Sequence, residues 1–110
     1  MLITTTDVLQ NKEILEYKGV ITSSDVRAVN VVRNFFTSFR DIFGGRSGSY
    51  QDVMKDIEKE LLRELSKKAE NMGCNAIIGL TIDFDNVGSK NKSLIMGYAK
   101  ATGVILNSDS

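Results

Sequence analysis

Hydrophobic and polar residues alternate along the first part of the chain. A short strand is predicted from Leu2 to Thr5, and a long strand from Ile14 to Ala28, with a candidate break at the polar residues 23–25. Alternation places every second side chain on the same face of a strand. One face of the long strand is therefore predicted to carry Leu15, Tyr17, Gly19 and Ile21.

A period of three to four residues replaces this alternation in the middle of the chain. It predicts a first helix that is capped by Asn30, ends at Gly44 and carries most of the phenylalanines. A second, longer helix is predicted to start at Ser49, which forms a near match to a capping box with Asp52, and to stop at Gly73. The apolar stripe of this second helix consists of Met54, Ile57, Leu61, Leu65, Ala69 and Met72.

Alternation returns in the last third of the chain, where strands are predicted from Ala76 to Phe84 and from Ser93 to Leu106. One face of the final strand has four consecutive small residues: Gly97, Ala99, Ala101 and Gly103. Glycine inside a strand often marks the close approach of another element. We therefore predict that the second helix, or a neighbouring subunit, lies over this trough.

These elements predict one α+β domain spanning residues 1–110, an antiparallel sheet with two helices packed on it. The 110 residues include 14 Lys and Arg, 14 Asp and Glu, one Cys and no His. The balanced charge argues against nucleic acid as a partner. The lack of His removes the usual general base and the commonest zinc ligand. No apolar run reaches the length that a bilayer requires, and one free thiol suits the cytoplasm.

Two sets of residues are candidates for binding chemistry. The Gly44-Gly45-Arg46-Ser47 loop, with Arg40 nearby, precedes a helix and could hold a small anion. The loop has neither the Walker spacing nor the GxGxxG spacing of nucleotide-binding loops. A tight turn without a ligand is the alternative. Asp83 and Asp85 could hold a cation, and Cys74 could join symmetry-related thiolates. The alternatives are a solvated strand end for the two Asp and a buried, inert side chain for the Cys. We expect no cofactor.

The charged side of the second helix also has two interpretations. Acidic residues at 52, 56, 60 and 64 are each followed three residues later by Lys or Arg. Such pairs stabilise an exposed helix only weakly. A solvated helix face is therefore favoured over a charged docking surface.

A resemblance to a known family rests on three stretches of sequence: TTT at residues 4–6, FTSFRDIFGGRSGSY at 36–50 and GCNAIIG at 73–79. In these stretches the chain resembles the YbjQ-like family of small bacterial proteins, which are often labelled heavy-metal-binding domains. The resemblance implies a dodecin-like βαββ core that assembles into a pentameric ring. The metal label is weakened in this chain by its ligand set of one Cys, no His and scattered carboxylates.

We therefore expect a non-enzymatic homo-oligomer that holds a small anion at the Gly-rich loop. Four aromatic residues are predicted to lie at its subunit interface, because they spread apolar surface over more of the first helix than one sheet can cover: Phe35, Phe36, Phe39 and Phe43. The first alternative is a metal-binding or metal-sensing protein. The second is an enzyme that uses Asp41 with Arg46 or Arg40.

Overall fold

The computed structural model describes residues 1–29, 49–86 and 93–107, which form four strands and one helix. These elements are β1 (Leu2–Ile3), β2 (Ile14–Val29), α1 (Ser49–Asn71), β3 (Ala76–Asn86) and β4 (Ser93–Leu106). The strands form one sheet in the order β1-β3-β4-β2. The β1 strand runs parallel to β3, whereas β4 is antiparallel to both β3 and β2.

The predicted antiparallel sheet with two helices is wrong. The sheet is mixed, because Leu2 and Ile3 pair in parallel with Ala76 and Ile77. Alternation indicates which face a side chain occupies but carries no information on the direction of the neighbouring strand. The described residues hold a single helix, α1, where two were predicted. The first predicted helix, residues 30–44, lies outside them.

The N-terminal segment keeps its contact with β3 after β1 ends. The Thr4 amide donates to the Ile77 carbonyl at 2.9 Å, and the Gly79 amide donates to the Thr6 carbonyl at 2.8 Å. Gly79 has a φ of +63°, within an irregularity of the β3–β4 pairing between Ile78 and Thr81. The parallel pairing therefore depends on a glycine that turns the β3 backbone toward the threonines.

The β2 strand is continuous through Ser23, where a break was a candidate. Its register shifts twice against β4, between Ile14 and Glu16 and between Tyr17 and Gly19. Each extra residue on one strand moves the following side chains to the opposite face. Tyr17 consequently aligns with Val104 on the face away from the helix, so the prediction that it shares a face with Ile21 is wrong.

Ser23 is buried because its hydroxyl has a partner on the helix. Its Oγ donates to the Leu61 carbonyl at 3.0 Å. Replacing Ser23 by Ala is expected to lower the free energy of unfolding by about 1 kcal/mol, as is typical for the loss of one buried hydrogen bond. Urea unfolding checks this, with Ser24→Ala as the control because Ser24 is exposed. Equal stability of the two variants would show that the Ser23 hydroxyl contributes nothing.

The helix α1 confirms the predicted apolar stripe and both predicted ends. The fully buried residues on the stripe are Ile57, Leu61, Leu65 and Ala69. Gly73 follows the helix with a φ of +83°. The Cys74 amide donates to the Ala69 carbonyl at 2.8 Å and the Gly73 amide to the Glu70 carbonyl at 3.0 Å. These two bonds form a Schellman motif, which ends the helix and turns the chain toward β3.

The trough of small residues on β4 lies beneath α1 and beneath Cys74, which follows the helix cap. This confirms the first of the two predicted covers, the helix rather than a neighbouring subunit. A Cβ atom added to Gly97 would lie 2.3 Å from Ile57 Cγ2, and one added to Gly103 would lie 2.8 Å from Cys74 Sγ. Ala99 and Ala101, between them, are buried. The two glycines thus let the helix and its cap approach the sheet backbone closely.

Candidate functional site

The two predicted metal sites, the Asp83 and Asp85 pair and the Cys74 thiol, lie at opposite ends of β3. Asp83 and Asp85 are exposed and align with Tyr98 and Met96 of β4. Cys74 precedes the opposite end of β3. Seven residues of strand separate Ala76 from Asp83, a distance of about 23 Å at 3.3 Å per residue. The residues in the ranges 1–29, 49–86 and 93–107 include no group of three or more His, Cys, Asp or Glu that could hold a metal ion.

Cys74 is buried against the sheet. Its Sγ occupies the space that the missing side chain of Gly103 leaves. Burial raises the pKa of the Cys74 thiol, so the thiolate that metals and electrophiles require is disfavoured. Within one chain the two Asp and the Cys therefore do not combine into one metal centre, and both metal assignments remain predictions.

Metal addition is expected to leave the melting temperature nearly unchanged. An ion that binds only the folded state would add about 2.7 kcal/mol at a hundredfold excess over its dissociation constant. Thermal melts with zinc, copper, cadmium and magnesium provide the test. A saturable rise of several degrees with one metal, lost in Asp83→Asn or Cys74→Ser, would contradict this expectation.

The other predicted site residues lie outside the described residues. They are the loop residues Gly44, Gly45, Arg46 and Ser47, the neighbouring Arg40, and the interface residues Phe35, Phe36, Phe39 and Phe43. Their assignments remain predictions.

A charged cleft of about 280 Å³ lies between α1 and the end of β2. Its lining residues are Arg27, Asp56, Lys59, Glu60 and Arg63. Arg63 donates to both carboxylate oxygens of Glu60 and holds the pKa of that carboxyl below its usual value. Arg27 donates to Asp25 at 3.0 Å. Apart from Lys59, the cations of the cleft are thus neutralised by carboxylates of this same chain.

This cleft could not be predicted from the sequence, because Arg27 comes from the strand and the other lining residues come from the helix. The helical charges alone favour a solvated face, and the exposed ion pairs of the cleft agree with that interpretation. Exposed pairs of this kind are screened by solvent. The cleft therefore has the character of a surface rather than of a binding pocket.

The face of the sheet opposite α1 has an exposed apolar region, which we call the open face: Tyr17, Val20, Val26 and Tyr98. Next to Tyr17, which aligns with Val104, Leu9 from the N-terminal segment packs on the buried side chains of Ala76, Ile78 and Val104. The four residues of the open face stay exposed in the described part of the chain.

The β2 strand, which borders the open face, is an edge of the described sheet. Lys68, in the last turn of α1, donates from Nζ to the Thr22 carbonyl at 2.5 Å. An ammonium group on an outward carbonyl is one way in which proteins protect an exposed strand edge.

Among the described residues, no helix is both long enough and apolar enough to cross a membrane.

The fold is similar to that of a solved structure from Pediococcus pentosaceus, described as a protein of unknown function in the DUF74 family. The TM-score is 0.69 over 97% of this chain and 98% of the other, at 18% sequence identity. Other relatives have a higher sequence identity to this chain. A UPF0145 protein of Haemophilus ducreyi is 42% identical over 96% of this chain and 99% of its own length. A UPF0145 protein of Trichodesmium erythraeum is 43% identical over 87% of this chain and 89% of its own length.

None of these names states a reaction. Residues 1–107 match the family model YbjQ_1, whose description reads "Putative heavy-metal-binding". The match includes the GCNAIIG stretch at residues 73–79, where the structure gives Gly73 and Cys74 roles in the helix cap. Asn75 also has a structural role, because its side-chain amide exchanges two hydrogen bonds with the backbone of Leu106. The agreement in sequence and fold establishes that the chain belongs to the YbjQ family.

Proposed function

We propose that this chain is a non-enzymatic module that acts as a homo-oligomer in the cytoplasm, a pentamer by its resemblance to the family. The observation that carries the proposal is the open face. Val20 is 68% exposed, Val26 53% and Tyr98 42%, and all lie on or beside the long edge strand β2. Isolated apolar side chains are common on protein surfaces, but several on one sheet face, beside a strand edge that no described strand covers, favour an association site.

Self-association explains this surface without a further partner. A second copy supplies apolar side chains for the open face, and it also supplies the phenylalanines at 35, 36, 39 and 43 that we assign to the interface. When one surface patch binds a different patch on the next copy, a closed ring forms if the rotation between copies closes and an open filament forms if it does not, and the pentameric ring that the family resemblance implies is the closed case. The proposal therefore predicts a defined mass rather than open-ended aggregation.

A small anion is the ligand that best suits the remaining candidate residues. Gly44, Gly45, Arg46 and Ser47, with Arg40, combine backbone amides, a hydroxyl and guanidinium groups, which together bind phosphate-like groups well. Metal binding ranks below this ligand, because the described residues include no group of three or more His, Cys, Asp or Glu that could hold an ion. An enzyme ranks last, because no nucleophile with an adjacent base can be named.

Light scattering after size-exclusion chromatography tests the assembly. At micromolar concentration the chain should have a mass several times 12.2 kDa. Val26→Asp and Phe39→Asp should each dissociate it, because burying an unpaired carboxylate at an interface is costly. Val8→Asp is the control, since Val8 is 75% exposed and lies in the N-terminal segment, outside the strands of the sheet. A wild-type monomer, or equal masses for all variants, would contradict the proposal.

A further inference from the structure

The free edge of β2 is regular over only part of its length. Between Ile14 and Gly19 the pairing with β4 shifts twice, whereas from Val20 to Val29 each residue of β2 aligns with one residue of β4. A partner strand needs evenly spaced backbone donors and acceptors. The regular half of β2, residues 20–29, is therefore the part of the edge on which another strand can pair.

The hydrogen bonds of the structure indicate which β2 groups point outward. Leu106 of β4 bonds to Asn75 through both its amide and its carbonyl, so the even-numbered residues of β4 face β3. The odd-numbered residues of β4 then face β2, where they align with Ile21, Ser23, Asp25 and Arg27. By the alternation of antiparallel pairing, the even-numbered residues of β2 direct their backbone groups to the free edge. The bond from Lys68 to the Thr22 carbonyl agrees with this assignment.

Lys68 limits where a strand can be added. Its ammonium group occupies the outward carbonyl of Thr22. On the side of Thr22 away from the bulges, Ser24, Val26 and Ala28 each present an outward amide and an outward carbonyl. These three residues form a short docking edge, and no described strand pairs with it.

We infer that the docking edge at Ser24, Val26 and Ala28 binds an extended strand from a second copy of this chain, an inference that rests on the proposed function. The sheet supplies a suitable strand. On the outer side of β3, the N-terminal segment pairs only as far as Leu80, whose amide donates to Thr4. Beyond it, Thr81 and Asp83 align with even-numbered residues of β4, so the backbone groups of Ile82 and Phe84 point outward.

Pairing of these two edges covers both of them with one contact. The docking edge of one copy binds Ile82 and Phe84 of the next, whose own docking edge then binds a third copy. Such head-to-tail contacts close into a ring when the rotation between copies permits. The added strand also lies beside Val26, and it would extend the sheet on whose surface the open face lies.

Ser24→Pro tests the inference directly. Proline removes an amide hydrogen, and at residue 24 that amide points to the free edge rather than to β4. The variant should keep the circular dichroism spectrum of the wild type but lose the oligomeric mass. Ser24→Ala, which keeps the amide, should retain the mass. An oligomer that persists in a folded Ser24→Pro protein would overturn the inference and leave the proposed homo-oligomer standing, whereas a wild-type monomer would remove both.

Amide hydrogen exchange of the wild-type oligomer decides the matter if Ser24→Pro does not fold. The amides of Ser24, Val26, Ile82 and Phe84 should exchange on the order of 100-fold or more slower than in an unfolded chain, although none has a partner within the described sheet. Fast exchange at Ser24 and Val26 would overturn the inference. Protection at Ser24 and Val26 without protection at Ile82 and Phe84 would overturn the head-to-tail pairing.

Discussion

Gly97→Ala is expected to destabilise the protein by about 1–3 kcal/mol, because it overpacks the contact between the helix and the sheet. The added methyl carbon would lie 2.3 Å from Ile57 Cγ2 and 3.1 Å from Leu61 Cδ1. Ile57 cannot turn aside easily, since a β-branched side chain has one strongly preferred rotamer in a helix. The methyl group therefore has to push α1 away from β4, along a stripe that is otherwise fully buried.

A double-mutant cycle with Ile57→Ala isolates this contact. Ile57→Ala alone leaves a cavity and should cost about 2–5 kcal/mol. In the double variant the new methyl group enters the space that Cγ2 vacates. The double variant should therefore lose less stability than the sum of the losses in the two single variants. Urea unfolding at equilibrium measures all three variants. Strict additivity, or a Gly97→Ala protein as stable as the wild type, would show that helix and sheet are not in close contact at this point.

Leu61→Ala should lower the free energy of unfolding by about 2–5 kcal/mol. Leu61 has no exposed surface and lies at the middle of the apolar stripe of α1. The surroundings of Leu61 are fixed, because the Ser23 hydroxyl donates to the backbone carbonyl of Leu61 and Gly97 lies beneath the Leu61 side chain. The cavity therefore has little opportunity to collapse.

Leu15→Ala is the matched control for this prediction. It removes the same atoms from a side chain that is 58% exposed, and surface substitutions of this kind usually change stability by about 0.5 kcal/mol or less. Thermal unfolding separates the two outcomes, since 1 kcal/mol corresponds to roughly 4–8 °C for a domain slightly smaller than this one. Similar melting temperatures for Leu61→Ala and Leu15→Ala would contradict the assignment of the core.

The parts of the fold that could be predicted from sequence are those that local patterns determine. The stripe from Ile57 to Ala69 has the helical period, and Gly73 is the residue type that a left-handed cap requires. The small residues from Gly97 to Gly103 are typical of a strand on which another element packs closely, as α1 and Cys74 do here. In each case the signal is a residue type at a spacing that one element imposes.

The features that the sequence did not indicate depend on contacts between distant segments. Nothing in Leu2 or Ile3 states that their neighbour in the sheet runs parallel. The bulges that move Tyr17 to the open face leave the alternation of apolar and polar residues unchanged, so this alternation does not predict them. Of the candidate site residues, Asp83 and Cys74 lie at opposite ends of β3, and whether either binds a metal depends on partners that the pattern of one chain does not reveal.

The mass of the wild-type chain in solution tests the central claim most directly. Native mass spectrometry at micromolar protein concentration resolves the number of subunits, because each adds 12.2 kDa. A single oligomeric species is expected, with five subunits, in which the open face and the edge of β2 are covered. A spectrum dominated by the 12.2 kDa monomer at that concentration would contradict the claim that the chain acts as a homo-oligomer.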